Sequence, residues 1–535
     1  MYTVGGTVTG LTAAGLVLTD NGGNNLDVSA NATTFTFSQS LQSGAQYDVA
    51  IAEQPTGESC TVSSGSGTAS ANVNSVAVAC QPLYTIGGTI TGLTASGLTL
   101  DNNGTAALTV PYSAGSSSSF SFTLGQAVAA GTNYDITVGT QPTGETCSVS
   151  GGSGTVSADV TTVAVSCSAV TFTVSGTISG LTTGGLQLQD YSGGQTLAVP
   201  EGATTFSFTE PVAYNTDVDV TVKTQPFWDW CTAGSGNFSG PISSNVTDES
   251  FACTDATATG SALSVTSTGQ GFSSPAQVAV DAAGDVYIAD SLNDRIVEIT
   301  AGGTAKVLLN SGAGLSSPEG VAVNAAGTQL YIADTNNGRV LGYALPAMTQ
   351  NLSVTGLDQP AGVAIDPLNG DVIVAVAGTS ATSGEVVSIT TGASPTLQVL
   401  ATSSSTYPID QPAGVAVDAA GNIYVANTAA NNVVEISASG TESQLPETFS
   451  SPFGVAVDSA GDLYVANTDA GVITLVTSAG ATRSLGARST NGTTNCAASP
   501  PQFQTPWGVA IDDSTGDLFV SDYVGSALCQ LTPSA

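Results

Sequence analysis

The chain contains no histidine, and only six of its 535 residues are lysine or arginine. Without histidine, Ser-His-Asp and Cys-His nucleophile systems cannot be assembled. Without a basic stripe nothing can neutralise phosphates, so nucleic acid is excluded as a partner and anionic membrane surfaces are disfavoured. Charged residues make up 9% of the chain, against roughly 25% in ordinary soluble proteins. The formal charge of −35 therefore reflects missing cations beside 41 acids, not the abundant Asp and Glu of a salt-adapted cytosolic protein. Gly, Ser, Thr, Ala and Asn fill the surface instead, as in many secreted and cell-surface β proteins. No apolar run is long enough for a bilayer-crossing helix, so no membrane insertion is expected. No signal peptide is visible before the first strand at Tyr2, as in a mature chain.

Eight cysteines are present, in four local pairs: Cys60 with Cys80, Cys147 with Cys167, Cys231 with Cys253, and Cys496 with Cys529. There is no C-x-x-C and no histidine to share a zinc site, so we expect four disulfides. Disulfides require an oxidising compartment, and the expected location is extracellular or on a bacterial cell surface.

One phrase is written six times in the second half. Its last copy reads Pro506-Trp507-Gly508-Val509-Ala510-Ile511-Asp512, and the others begin at Pro275, Pro318, Pro360, Pro412 and Pro452. The glycine two residues after each proline is replaced once, by Gln277. Successive prolines are 43, 42, 52, 40 and 54 residues apart, a period typical of radial β arrays. Proline fixes φ at the strand entry, glycine permits close backbone approach, and the small Val-Ala-Val strands can crowd an axis. An Asp-x-x-Gly turn such as Asp281 to Gly284 then reverses the chain into a second strand. A third strand follows in most copies and a fourth is legible at Ala305 to Leu309, which predicts a six-bladed β-propeller over residues 255–535. A strand at about 261–267 is expected to complete the last blade, with Thr254 to Gly260 as a flexible linker.

The loops Asp290-Ser291-Leu292-Asn293-Asp294-Arg295 and Asp334-Thr335-Asn336-Asn337-Gly338-Arg339 give this half its resemblance to the NHL-repeat propellers. That resemblance implies the fold and leaves function open, because such propellers host lyases, lactonases and binding modules. The lyases of this type, virginiamycin-type and peptidyl-hydroxyglycine, rely on histidines, so their activity does not carry over.

Residues 2–254 hold three copies of another unit. Its opening recurs as Tyr2-Thr3-Val4-Gly5-Gly6-Thr7, Tyr84-Thr85-Ile86-Gly87-Gly88-Thr89 and Phe172-Thr173-Val174-Ser175-Gly176-Thr177. About seven short strands in 82 to 88 residues, with frequent turn signals, predict a small β-sandwich. Each copy resembles a bacterial immunoglobulin-like module. The expected organisation is all-β: sandwiches at 1–82, 83–169 and 170–254, joined by short linkers into a semi-rigid rod, then the propeller. The third copy departs at one loop, where Phe227-Trp228-Asp229-Trp230 replaces Thr56-Gly57-Glu58-Ser59 of the first. Trp228 and Trp230 read either as a hydrophobic joint against the propeller or as a sugar- or partner-binding platform.

In a propeller the residue after each proline and the end of the second strand share one face. The first set is Ala276, Glu319, Ala361, Ala413, Phe453 and Trp507, and the second includes Asp290, Asp334 and Asp522. Glu319, Phe453 and Trp507 break the small-residue pattern and are the candidate ligand contacts. Asp290, Asp334 and Asp522 are weak candidates for Ca²⁺, whose hard oxygen ligands they could supply, although strand-end Asp more commonly anchors its own turn. Gluconolactonase-like propellers place a catalytic divalent metal in such a mouth. No other cofactor is implied. The leading expectation is a non-catalytic surface protein that binds a glycan or a protein. A self-associating subunit of a fibre or surface layer is second, and a Ca²⁺-dependent lactonase or esterase third.

Overall fold

The proline-glycine phrase opens the innermost strand of each four-stranded C-terminal sheet in the computed structural model, which describes residues 1–112, 119–190, 194–380, 383–392 and 394–534. The inner strands are Pro275–Val280, Pro318–Val323, Pro360–Ile365, Pro412–Val417, Pro452–Val457 and Pro506–Asp512. Each belongs to a four-stranded antiparallel sheet, and each neighbours the next, the sixth returning to the first. This is an all-β, propeller-type fold.

The glycines show why the phrase is needed. A Cβ on Gly362, Gly414 or Gly454 would lie 2.4 Å from the carbonyl oxygen of Ala413, Phe453 or Trp507 on the next inner strand. A Cβ on Gly508 would lie equally close to Ala276, which closes the cycle. A methyl group at that distance is sterically forbidden, so the backbone packing itself selects glycine.

The last sheet is completed from far upstream. Thr257–Ala262 pairs antiparallel with Ala527–Ser534, from Thr257 opposite Ser534 to Ala262 opposite Cys529. The expected closing strand at 261–267 is therefore displaced, and the linker at Thr254 to Gly260 is largely strand. The alternation of Leu263 and Val265 misled the reading. Those two residues fill an apolar core with Val278, Ile288, Phe519 and Leu528. The outer strand, mostly exposed, has small polar residues instead.

By compactness the chain divides into two units. The first is Met1–Phe172 with Pro211–Thr216 and Pro241–Asn245, and the second is Thr173–Glu210, Asp217–Gly240 and Val246–Ala535. In the first repeat one sheet contains Thr34–Thr36, Val4–Thr9, Val73–Tyr84 and Glu58–Ser63. The other contains Asn24–Val28, Leu16–Asp20, Gln46–Glu53 and Ser66–Thr68. Val4, Leu16, Phe35, Phe37, Val49 and Val78 from both sheets share one core. Val73–Tyr84 passes through the joint at 81–83 without a break, and its end pairs with Val128–Ala129 of the second repeat.

All four disulfides form, and no described cysteine is free. In the three repeats the cysteines sit directly opposite each other on adjacent strands. The glutamine of each Gln-Pro pair secures the first cysteine: Gln54, Gln141 and Gln225 bond the backbone N–H and carbonyl of Cys60, Cys147 and Cys231. Among the described residues, no helix is long and apolar enough to cross a membrane.

Candidate functional site

Five of the six residues that follow the prolines line one end of the axial channel. Glu319, Ala361, Ala413, Phe453 and Trp507 surround a cavity of about 20 Å³ together with Gln277. Ala276, the sixth, is fully buried. So small a volume holds about one water, and any larger ligand must sit at the rim.

Gln277 explains the closure. Its Oε1 accepts from the backbone N–H groups of Val321 (3.2 Å) and Val363 (3.0 Å), and its Nε2 donates to the Val363 carbonyl at 2.9 Å. The side chain thus crosses from the first sheet to the inner strands of the second and third. Its one sequence signal was the missing glycine.

At the rim the aromatic residues form a pile. The Phe453 and Trp507 rings are 3.7 Å apart between centroids, and Trp507 stacks on Tyr523 at 4.3 Å. Tyr523 was not singled out from sequence, because it lies one residue beyond the strand-end position occupied by Asp522. Glu319 makes no hydrogen bond or ion pair with the described residues, and burial pushes its carboxyl above the usual carboxylate range. Flat aromatic faces beside an uncommitted carboxyl group suit a ligand that offers an apolar ring face and a hydrogen-bond donor.

The strand-end carboxylates are committed to their own loops. Asp290 is fully buried, accepts from the Ser273 N–H (2.8 Å) and Asn293 (2.8 Å), and pairs with Arg295 at 2.5 Å. Asp334 repeats the arrangement with Ser316, Asn337 and Arg339. Asp522 accepts from the backbone of Gln504 and Thr505 and from the Thr494 hydroxyl. Their weak candidacy as metal ligands is corrected accordingly: the oxygens already hold their turns, and the three are not brought together. Among the described residues, no group of three or more His, Cys, Asp or Glu side chains is arranged to hold a metal ion.

The two loop tryptophans also separate. Trp228 has no exposed surface and shares a core with Tyr464, Leu518 and Leu531 of the fifth and sixth sheets and with Phe503 of the short strand Gln502–Phe503. That burial corrects its candidacy as a ligand platform and favours the joint. Arg483 reinforces the contact, donating to the Trp228 carbonyl at 2.5 Å and pairing with Asp255 at 2.6 Å. Trp230, two residues on, keeps 36% of its surface exposed and is not among the residues that line the small cavity.

The opposite end of the channel was missed by sequence reasoning. There the inner strands flare into a cavity of about 560 Å³, walled by Val280, Val323, Ile365 and Val457, with Asp281 and Asp512 among its lining. Gln277 borders this cavity as well as the small one, so it divides the channel in two.

Residues 315–343 match the NHL repeat. No curated protein matches the sequence. Among solved structures, the chain resembles a streptogramin B lyase at 13% identity and a TM-score of 0.40, over 52% of this chain and 98% of that one. It resembles a gluconolactonase from Xanthomonas campestris at 17% identity and a TM-score of 0.41, over 52% and 90%. A protein of unknown function from Bacteroides thetaiotaomicron aligns at 12% identity and a TM-score of 0.45, over 65% and 90%. At these identities the likeness is one of fold. Most of the named neighbours are enzymes, which corrects the expectation that the chain is not an enzyme. The absence of histidine excludes histidine-dependent chemistry and nothing wider.

Proposed function

We propose that the chain is an exported or cell-surface bacterial binding protein. In this reading three immunoglobulin-like sandwiches, at 1–82, 83–169 and 170–254, carry a six-bladed propeller at 255–535, and the ligand is a glycan or protein engaged at the channel rim. The observation that carries it is the Phe453–Trp507–Tyr523 pile beside the unpartnered Glu319. Glu319, Phe453 and Trp507 stand where sibling sheets carry alanine, and Tyr523 where they carry Ser, Thr or Ala, so the fold does not demand these large residues. Four disulfides support the oxidising compartment.

A glycan array probed with the full chain tests the reading, with Trp507→Ala and Glu319→Gln as comparisons. Binding that falls at least tenfold in both variants, with unchanged thermal stability, is the expected result. Binding that survives both substitutions would place the ligand elsewhere and end the proposal.

A further inference from the structure

Four of the C-terminal sheets carry a tyrosine on the second strand: Tyr287, Tyr331, Tyr424 and Tyr464. In three of them the hydroxyl donates to the aspartate of the preceding turn, at 3.3 Å to Asp281, 3.3 Å to Asp418 and 2.9 Å to Asp458. The second sheet breaks the rule. Its turn residue is Asn324, whose Oδ1 accepts from the Thr328 and Gln329 N–H groups while its Nδ2 donates to the Thr328 hydroxyl. The Tyr331 hydroxyl is left without a protein partner among the described residues, although the residue is only 5% exposed.

That hydroxyl borders a cavity of about 510 Å³ between the second and third sheets, which Asn324, Gln329, Asn351, Leu352 and Ile365 also line. The residue opposite Tyr331 on the third strand is Gly342, where the other tyrosine-bearing sheets place Glu298, Glu435 and Leu475. The missing side chain lets Leu352, Tyr331 and Asn351 close over the glycine, within 3.0 Å of where a Cβ would stand. Unlike its three siblings, this hydroxyl is not committed to a turn aspartate, so it is free to bond a group that enters the cavity beside it.

We infer that this cleft is a second binding site, for a neutral polyhydroxylated ligand of the saccharide class. The volume suits a mono- or disaccharide unit. Among the described residues none that lines the cleft is charged, which argues against ionic ligands. The Tyr331 hydroxyl, the Gln329 Nε2 and the Asn351 Oδ1 can exchange hydrogen bonds with ligand hydroxyls, since the one bond between these amides joins Asn351 Nδ2 to Gln329 Oε1. Leu352, Ile365 and the Tyr331 ring supply the apolar surface for a sugar's C–H face.

Saturation-transfer NMR of the full chain with neutral trisaccharides of glucose, mannose and N-acetylglucosamine tests this. The rim is silenced throughout by Trp507→Ala, and Tyr331→Phe, which removes only the hydroxyl, or Gln329→Ala is added to that variant. At least one trisaccharide is expected to bind the rim-silenced chain, and about tenfold more weakly once either substitution is added. No binding by the rim-silenced chain, or binding that both added substitutions leave unchanged, would overturn the inference. The first of these outcomes would still leave the rim reading intact.

Discussion

Replacing Trp228 by alanine should uncouple the third repeat from the sheets it packs on. The indole has no exposed surface and lies in one core with Tyr464, Phe503, Leu518 and Leu531. A tryptophan buries about 150–250 Å², which at about 25 cal/mol/Å² comes to about 4–6 kcal/mol. Measured truncations of buried Trp or Phe to Ala cost about 3–5 kcal/mol, so a loss near 4 kcal/mol is expected. The loss is purely apolar, because the indole Nε1 has no hydrogen-bond partner among the described residues. The backbone carbonyl that receives Arg483 survives the substitution. Differential scanning calorimetry should resolve the consequence as an earlier transition for residues of the third repeat, with the disulfide Cys231–Cys253 still formed. Trp230→Ala is the control, since a 36% exposed side chain at the same loop should cost far less. If the two variants unfold alike, Trp228 does not carry the joint and the assignment of this loop is wrong.

Two further outcomes follow from buried polar groups. At the same joint Asp458, Asp462, Asp513 and Glu201 crowd together: burial lifts the Asp458 carboxyl to about 6, and burial with the Asp458 charge raises Asp462 further. Raised carboxylates favour the protonated folded state, so their stabilisation is full below about pH 4 and is lost as pH rises through about 6 and beyond. For Asp458 alone this is about 3 kcal/mol; Asp462→Asn should raise the melting temperature at pH 8 and leave it unchanged at pH 4, and an equal shift at both would refute the linkage. Gln277→Leu, which keeps the volume but loses three hydrogen bonds across the channel, should cost about 2–4 kcal/mol in denaturant unfolding; a change under 1 kcal/mol would mean that water replaces the amide.

Where a position is dictated by backbone packing, the sequence was easy to read. The recurring glycine is needed by the neighbouring carbonyl, the strand-end Asp by its loop amides, and the paired cysteines by their opposite register. Such demands repeat with every sheet, so periodicity exposes them. The closing strand escaped because an exposed outer strand needs no apolar alternation, while the alternating Leu263 and Val265 serve a core instead. Trp228 was visible as an anomaly, but its burial depends on which sheets the loop meets, and spacing along the chain does not encode that. Asn324 and Gly342 are single departures from a repeat, each unremarkable alone; they matter because register sets one beside Tyr331 and the other opposite it.

Single departures also locate chemistry better than the repeated residues do. A residue that recurs in five or six sheets answers a demand of the fold, and the Asp turns do so by accepting backbone hydrogen bonds. Gln277, Glu319, Phe453 and Trp507 answer no such demand, since sibling positions are filled by glycine or alanine. Gln277 has spent its polar atoms inside the protein, holding Val321 and Val363. Glu319 has spent none, and the aromatic pile keeps part of its surface open. Because Gln277 blocks the channel, a ligand at the Glu319 rim cannot reach the wider Val-lined cavity at the far end. The two ends must therefore respond independently to substitution. Opening the block with Gln277→Gly, the residue used by the other copies, should couple them, and a rim ligand whose affinity is unchanged by that opening would be held by the rim alone.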